Sequence, residues 1–201
     1  QLLLIPIIFT SLKQIVPTNT RIFFQKLFQV GWYKEVRSNG IILKPLMLTH
    51  ANDLTRACQD GELWKINVTS VPEPDKVIDY INTAASMADR KAFVVIDKLN
   101  GKAIGSTSFH DILPNSKRLE IGYTWYAKSY WRTHVNTTCK LILLTYIFET
   151  LNYQTVGWRT DIDNHRSQQA IERLGVKKDG VLRGYALRRD GTIRDTAYAP
   201  T

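Results

Sequence analysis

A chain of 201 residues, 44% hydrophobic and 22% charged, has room for one packed domain and too little for two full ones. Two cysteines, Cys58 and Cys139, cannot build a disulfide framework. With no Cys-x-x-Cys or His/Cys clustering around them they argue against a structural zinc site and read as reduced, buried thiols of a cytoplasmic protein. The net charge of +9 suits an anionic partner such as nucleic acid, a ribosome, a membrane surface or a phosphate-bearing cofactor, but no basic run interleaved with aromatics marks a direct DNA- or RNA-binding face.

Residues 1–35 read as an irregular N-terminal extension, fragmentary or not native to the domain. The apolar stretch Gln1 to Val16 is interrupted by Pro6 and Lys13 and followed by Pro17. It falls short of the ~20 residues a membrane-spanning helix needs, and neither a complete signal peptide nor membrane attachment is expected.

From Gly40 the pattern becomes regular. Ile41 to Leu46 reads as a strand, and Thr49 is placed to cap a helix through Asp53, Leu54, Ala57 and Cys58 that ends near Gly61. After Pro72 and Pro74, Asp75 starts a second helix with Val77, Ile78, Ile81, Ala84, Ala85 and Ala88 at helical spacing. Ala92 to Asp97 and Lys102 to His110 form a hairpin about the Asn100-Gly101 turn. Pro114-Asn115-Ser116 turns the chain into an aromatic-rich strand, Leu119 to Ala127.

Asn136 to Leu151 is the next helix, its inner face Leu141, Leu144, Thr145 and Phe148. Thr155 to Asp161 is a strand, Asn164 caps a last helix buried through Ala170, Ile171 and Leu174, and Gly175 ends it. A hairpin, Val181 to Arg188 and Thr192 to Ala199, closes the chain about Asp190-Gly191. This order is mixed α/β rather than a regular βα alternation.

Two segments carry chemistry. At the strand-to-helix junction Glu120 to Thr138, unpaired N–H groups and the positive helix end suit a pyrophosphate, helped by Lys128, Arg132, Thr133, Asn136, Thr137 and Thr138; an ordinary polar cap fits the same residues. In the second segment Asn164 and Ser167 lie one turn apart on a shared face, where they either hold a cofactor's polar atoms or cap their own helix. The short aromatic stretch offers Tyr123 and Trp125 on one strand face, for an acceptor pocket or for core packing.

Taken together, Tyr130-Trp131 through Phe148, Asn164-x-x-Ser167 with Leu174-Gly175, and Leu182-Arg183 … Asp190-Gly191 … Arg194-Asp195-x-x-Tyr198 resemble the RimJ/RimL-type branch of the GNAT acetyltransferase superfamily. The resemblance runs from about Ile41 to Tyr198. It implies an α/β (α+β) fold, a mixed, mostly antiparallel sheet flanked by helices, over residues 36–201, with the last strand truncated. Two features depart from the family. Its small-residue loop positions hold His134 and Asn136, which removes glycine freedom while keeping the backbone donors. Its last strand normally continues past the position of Tyr198, so a weakened closing hairpin is expected.

What the resemblance implies is acetyl transfer from acetyl-CoA, without a metal, to a primary amine in a ternary complex. The amine belongs to a protein N-terminus, a ribosomal protein or a small molecule. The implied cofactor set is Trp125, Tyr126, Ala127, Arg132, Thr133, His134, Val135, Asn136, Thr137, Asn164 and Ser167, with an oxyanion-stabilising N–H from Tyr123 to Trp125. Glu120 is the candidate base, competing with a plain strand-end carboxylate. Ser167, with Tyr185 in reserve, is the candidate acid for the leaving thiolate. His110 and His134 are further titratable groups near loop ends. A homodimer is compatible with this reading. The alternative is a non-catalytic CoA-binding or ribosome-associated module of the same fold. A nucleotide-binding transferase is disfavoured because no Gly-x-x-x-x-Gly-Lys-Ser/Thr loop is present.

Overall fold

The computed structural model describes residues 35–201; the expectation for the residues before them lies outside the described part. Eight strands form one sheet: β1 (Val36–Ser38), β2 (Ile41–Pro45), β3 (Lys91–Asp97), β4 (Ala103–Leu113), β5 (Arg118–Tyr126), β6 (Thr155–Asp161), β7 (Gly180–Leu187) and β8 (Ile193–Pro200). Their spatial order is β1-β2-β3-β4-β5-β6-β8-β7, and every pairing is antiparallel except β5 with β6. Four helices accompany it: α1 (Ala51–Gln59), α2 (Val77–Ser86), α3 (Val135–Thr145) and α4 (His165–Glu172). This is the mixed, mostly antiparallel architecture expected from the sequence.

Two apolar clusters hold the layers together. On one face Phe109, Leu119, Ile121 and Val156 of the sheet pack with Cys139, Leu143, Leu144 and Ile147 of the α3 region and Ile171 of α4. On the other, Leu54, Ala57 and Cys58 of α1 and Val77 and Ile81 of α2 pack with Val94, Ile96 and Trp125. Both cysteines are free and buried, and burial pushes their thiols up, Cys58 to about 11 and Cys139 to about 12.

Several local expectations change. Thr49 does not cap α1: it sits in a 3-10 turn, Leu48–His50, where His50 Nδ1 accepts from the Met47 N–H at 3.1 Å. Asp75 also lies in a 3-10 turn, Pro74–Lys76, and α2 starts at Val77. Its buried face is Val77, Ile81 and Ala84; Ile78 is 56% exposed, Ala85 points to solvent and Ala88 follows the helix end. The α3 segment reaches Thr150 only by changing to a π-turn over Tyr146–Thr150. Strand β1 is too short to show a period in the sequence. The turns after Asn100 and Asp190 form as read, with Gly101 and Gly191 at φ of +69° and +82°. Strand β8 pairs with β6 from Asp161↔Thr196 through Gly157↔Pro200.

Candidate functional site

The parallel pair β5–β6 is joined over only three positions, Arg118↔Thr155, Leu119↔Val156 and Glu120↔Gly157. Beyond Glu120 the strands diverge, so Ile121 to Tyr126 has no ladder partner on that side. A bulge bends β5 at this point: between Ser106↔Trp125 and Ser108↔Gly122 one residue of β4 faces two of β5, and Tyr123 takes φ +50°. A cleft thus opens at the centre of the sheet, floored by the paired ends and edged by free backbone groups of β5.

At the closed end lies an ion-pair cluster. Glu120, with no exposed side-chain surface, accepts from Arg118 Nη2 and Arg159 Nε at 2.5 Å each. Asp111 bridges the same two arginines at 3.0 Å. Burial pushes the Glu120 carboxyl up from its ordinary value, against the two guanidiniums that favour its ionised form. Both its oxygens are committed, so as placed Glu120 anchors the arginines, and it is not the surface carboxylate of the competing reading. His110 Nε2 stands 3.9 Å from Glu120, over Gly122, whose hydrogen leaves the only room: a Cβ there would meet His110 Nε2 at 2.3 Å. Burial pushes His110 down to about 4, which keeps it neutral. Tyr185, exposed on β7, accepts a hydrogen bond from Arg159 Nη1.

The open end is framed by the β5–α3 loop. Trp131 Nε1 donates to Tyr126 O at 2.8 Å, the Tyr126 hydroxyl donates to Asn136 Oδ1 at 3.2 Å, and Thr133 Oγ1 donates to Tyr130 O at 2.7 Å. Arg132 adopts φ +61°, so the loop takes its left-handed residue there and places His134 and Asn136 without glycine. Among the described residues the N–H groups of Arg132, Thr133, His134, Asn136 and Thr137 have no acceptor, which fits an anion at a helix start. The side chains of Arg132, Thr133 and His134 are exposed, those of Asn136 and Thr137 half-buried; Val135, Trp125, Tyr126 and Ala127 are buried and can offer a ligand only their backbone.

Asn164 caps α4: its Oδ1 accepts from Ser167 N at 3.1 Å and its Nδ2 donates to Val68 O at 3.1 Å. Ser167 is half-buried with its hydroxyl free among the described residues. Arg166 stacks on Trp131 at 3.6 Å and ties α4 to the loop.

Three features were not read from the sequence. Arg189, at the β7–β8 tip, donates to Trp64 O and Val71 O at 2.5 Å each, and Asn67 Nδ2 donates to Asp190 at 2.7 Å, so this tip clasps the α1–α2 loop across the cleft. Arg188 grips Asp161 at 2.8 and 3.0 Å behind it. Lys140, buried on α3, donates to Thr124 Oγ1 at 2.9 Å beside the bulge, and burial pushes it down to about 8. Its lone charge in the apolar run Cys139 to Leu144 was the available signal. Among the described residues no His/Cys/Asp/Glu cluster could hold a metal, and no helix is long and apolar enough to cross a membrane.

Residues 41–177 match the Acetyltransferase (GNAT) domain family. The chain is 26% identical over 149 residues to N-acetyltransferase p20 of Bacillus licheniformis, a relative of uncharacterised function, covering 72% of this chain and 83% of p20. It is 30% identical over 99 residues, 49% of this chain and 53% of the relative, to YdaF of Bacillus subtilis (strain 168), provisionally named a ribosomal N-acetyltransferase. A crystal structure from T. thermophilus, provisionally assigned as an acetyltransferase, superposes with a TM-score of 0.76 at 25% identity, over 86% of this chain and 91% of that one.

Proposed function

This chain belongs to the GNAT acetyltransferase family, and from that premise we propose that it transfers the acetyl group of acetyl-CoA directly to a primary amine held in the same complex. The family makes it an acyltransferase with acetyl-CoA as co-substrate, which supplies a thioester-activated acetyl group. The residues present fit that molecule: free N–H donors at the start of α3 suit its phosphates, and the unpaired edge of β5 suits an extended amide-bearing arm. The observation that carries the reading is the divergence of β5 and β6 after Glu120, ending at those donors.

In this reading Arg132, Thr133, His134, Val135, Asn136 and Thr137 bind the phosphates, and Trp125, Tyr126 and Ala127 flank the arm through their backbone. The bulge turns a backbone N–H of Tyr123 to Trp125 toward the charge that develops on the acetyl oxygen. The ammonium gives its proton to water that carries it out of the open cleft to solvent; the free amine then bonds to the thioester carbonyl carbon and the C–S bond breaks. Asn164 fixes the start of α4, and Ser167 or Tyr185 gives a proton to the departing thiolate and regains one from solvent. Glu120 acts by holding Arg118 and Arg159. The acceptor is the amine of a peptide terminus or a small molecule; likeness to YdaF favours a ribosomal protein, and the +9 charge favours an anionic partner. Two buried free thiols fit a reducing compartment such as the cytoplasm.

The test is CoA thiol release and acceptor mass on mixing the protein with acetyl-CoA and a panel of peptide and small amines. Acetylation of at least one amine above the protein-free rate is expected. Tight acetyl-CoA binding with no amine modified would overturn it and favour the non-catalytic alternative.

A further inference from the structure

Among the described residues, the face of the sheet that bears the ion-pair cluster leaves two guanidiniums without a carboxylate. Strand pairing puts Arg159 opposite Tyr198 and Asp161 opposite Thr196, so by alternation Arg194 shares their face, one step beyond Asp161 toward the open end. Among the described residues Arg194 has no hydrogen bond or ion pair, and its Nε is buried with no acceptor. Asp161, the carboxylate beside it on this face, already has both oxygens on Arg188. Arg90, 3% exposed, meets neutral groups among the described residues: Ser108 Oγ at 3.0 Å, the Tyr80 hydroxyl at 3.2 Å, Met87 Sδ at 4.0 Å and the face of Tyr123 at 3.7 Å. Tyr123, half-buried at the bulge, lies under the Arg90 guanidinium on this face.

A buried donor with no acceptor costs free energy, and a half-buried guanidinium with no counter-charge costs more. Here the deficit sits where an acceptor must lie. The opposite face is covered by α3 and α4, and on this one the β7–β8 tip clasped to the α1–α2 loop bounds the cleft. A planar guanidinium binds carboxylate and phosphate oxygens in paired, charge-assisted hydrogen bonds.

We propose that the acceptor carries, beside its reactive amine, an anionic oxygen group, carboxylate or phosphate, that docks on Arg194 at the open end of the β5–β6 cleft. Arg90 adds positive field on the same face, packed against Tyr123. The inference rests on the acetyl-transfer reading above and narrows its substrate class to amines with a nearby oxyanion.

The experiment measures CoA release by the full 201-residue chain with matched acceptors. These are Ala-Glu amide, Ala-Gln amide and Ala-phosphoserine amide, with γ-aminobutyrate against its amide and phosphoethanolamine against ethanolamine. The expected result is a kcat/KM at least about tenfold higher for the anionic member of a pair, in the range of one charge-assisted hydrogen bond. Arg194→Gln should erase that preference through KM while leaving the KM for acetyl-CoA and the urea midpoint near wild type, and Arg194→Lys should restore part of it. Preference for the carboxylate or for the phosphate member identifies which oxyanion is read. Equal acetylation of charged and neutral partners, or a preference that survives Arg194→Gln, would overturn the inference while leaving acetyl transfer standing. No acetylation of any amine would overturn the transfer reading, and the inference with it.

Discussion

The two ends of the β5–β6 junction obey opposite rules. At the closed end, strands pair, Glu120 is fully buried, and its charge and those of Asp111, Arg118 and Arg159 are matched to one another. At the open end, a few residues along the same strand, the ladder stops, and among the described residues five N–H groups of the β5–α3 loop lack acceptors and Arg194 lacks a counter-ion. Satisfied polar groups stabilise a fold; unsatisfied ones stabilise it only when a ligand arrives. The closed end is therefore satisfied by the chain itself, and the open end is where we propose a ligand completes it.

The comparison breaks first at Glu120. Glu120→Gln leaves two guanidiniums short of a charge in a dry site and should cost about 3–5 kcal/mol of stability, read from urea midpoints. An effect below ~1 kcal/mol, the range of exposed ion pairs, would mean that water reaches the cluster. At the other end, His134→Pro deletes one loop N–H at a residue whose φ of −66° already suits proline. Acetyl-CoA affinity should fall on the order of 10-fold to 100-fold, as for one charge-assisted hydrogen bond, with the urea midpoint little changed. Equal loss of stability and affinity would mean that the loop's donors are structural.

Smaller effects sharpen the picture. Gly122→Ala drives a Cβ into His110 and should cost about 1–3 kcal/mol, whereas Gly157→Ala meets Glu120 Cγ at 3.0 Å and should cost less. Lys140→Met should stabilise by on the order of 1 kcal/mol at pH 7, because the buried ammonium is held at about 8, below its ordinary 10.5. Over that window the unfolded chain binds more protons, so wild-type stability climbs as pH rises from 8 to 10.5. The variant lacks this climb, and its advantage should shrink toward pH 10.5 in paired urea titrations.

The order of elements was legible because turn residues punctuate the chain: Asn100-Gly101, Pro114 and Asp190-Gly191 bracket strands whose composition is β-branched or aromatic. The β5–α3 junction was legible as a helix start rich in polar residues. What stayed hidden depends on partners distant in sequence. Arg159 of β6 and Asp111 of β4 join Arg118 and Glu120 of β5 in one cluster, and no local pattern announces that. The bulge at Tyr123 is defined by register against β4, and Ile78 fits a helical period yet faces solvent because α2 buries a narrower stripe. Asn164 could be read two ways from its own segment; the structure adds the cap to Ser167 and the tie to Val68, both of which a neighbouring ligand would inherit as preorganisation.

The most direct measurement is amide hydrogen exchange of the full chain with and without saturating acetyl-CoA. Protection should rise over residues 121–127 and 132–137 and stay unchanged over 118–120, where the ladder is already closed. No change at 121–127 and 132–137, or protection centred on the hollow of about 240 Å³ lined by Pro45, Leu46, Ile81 and Ala92, would contradict it.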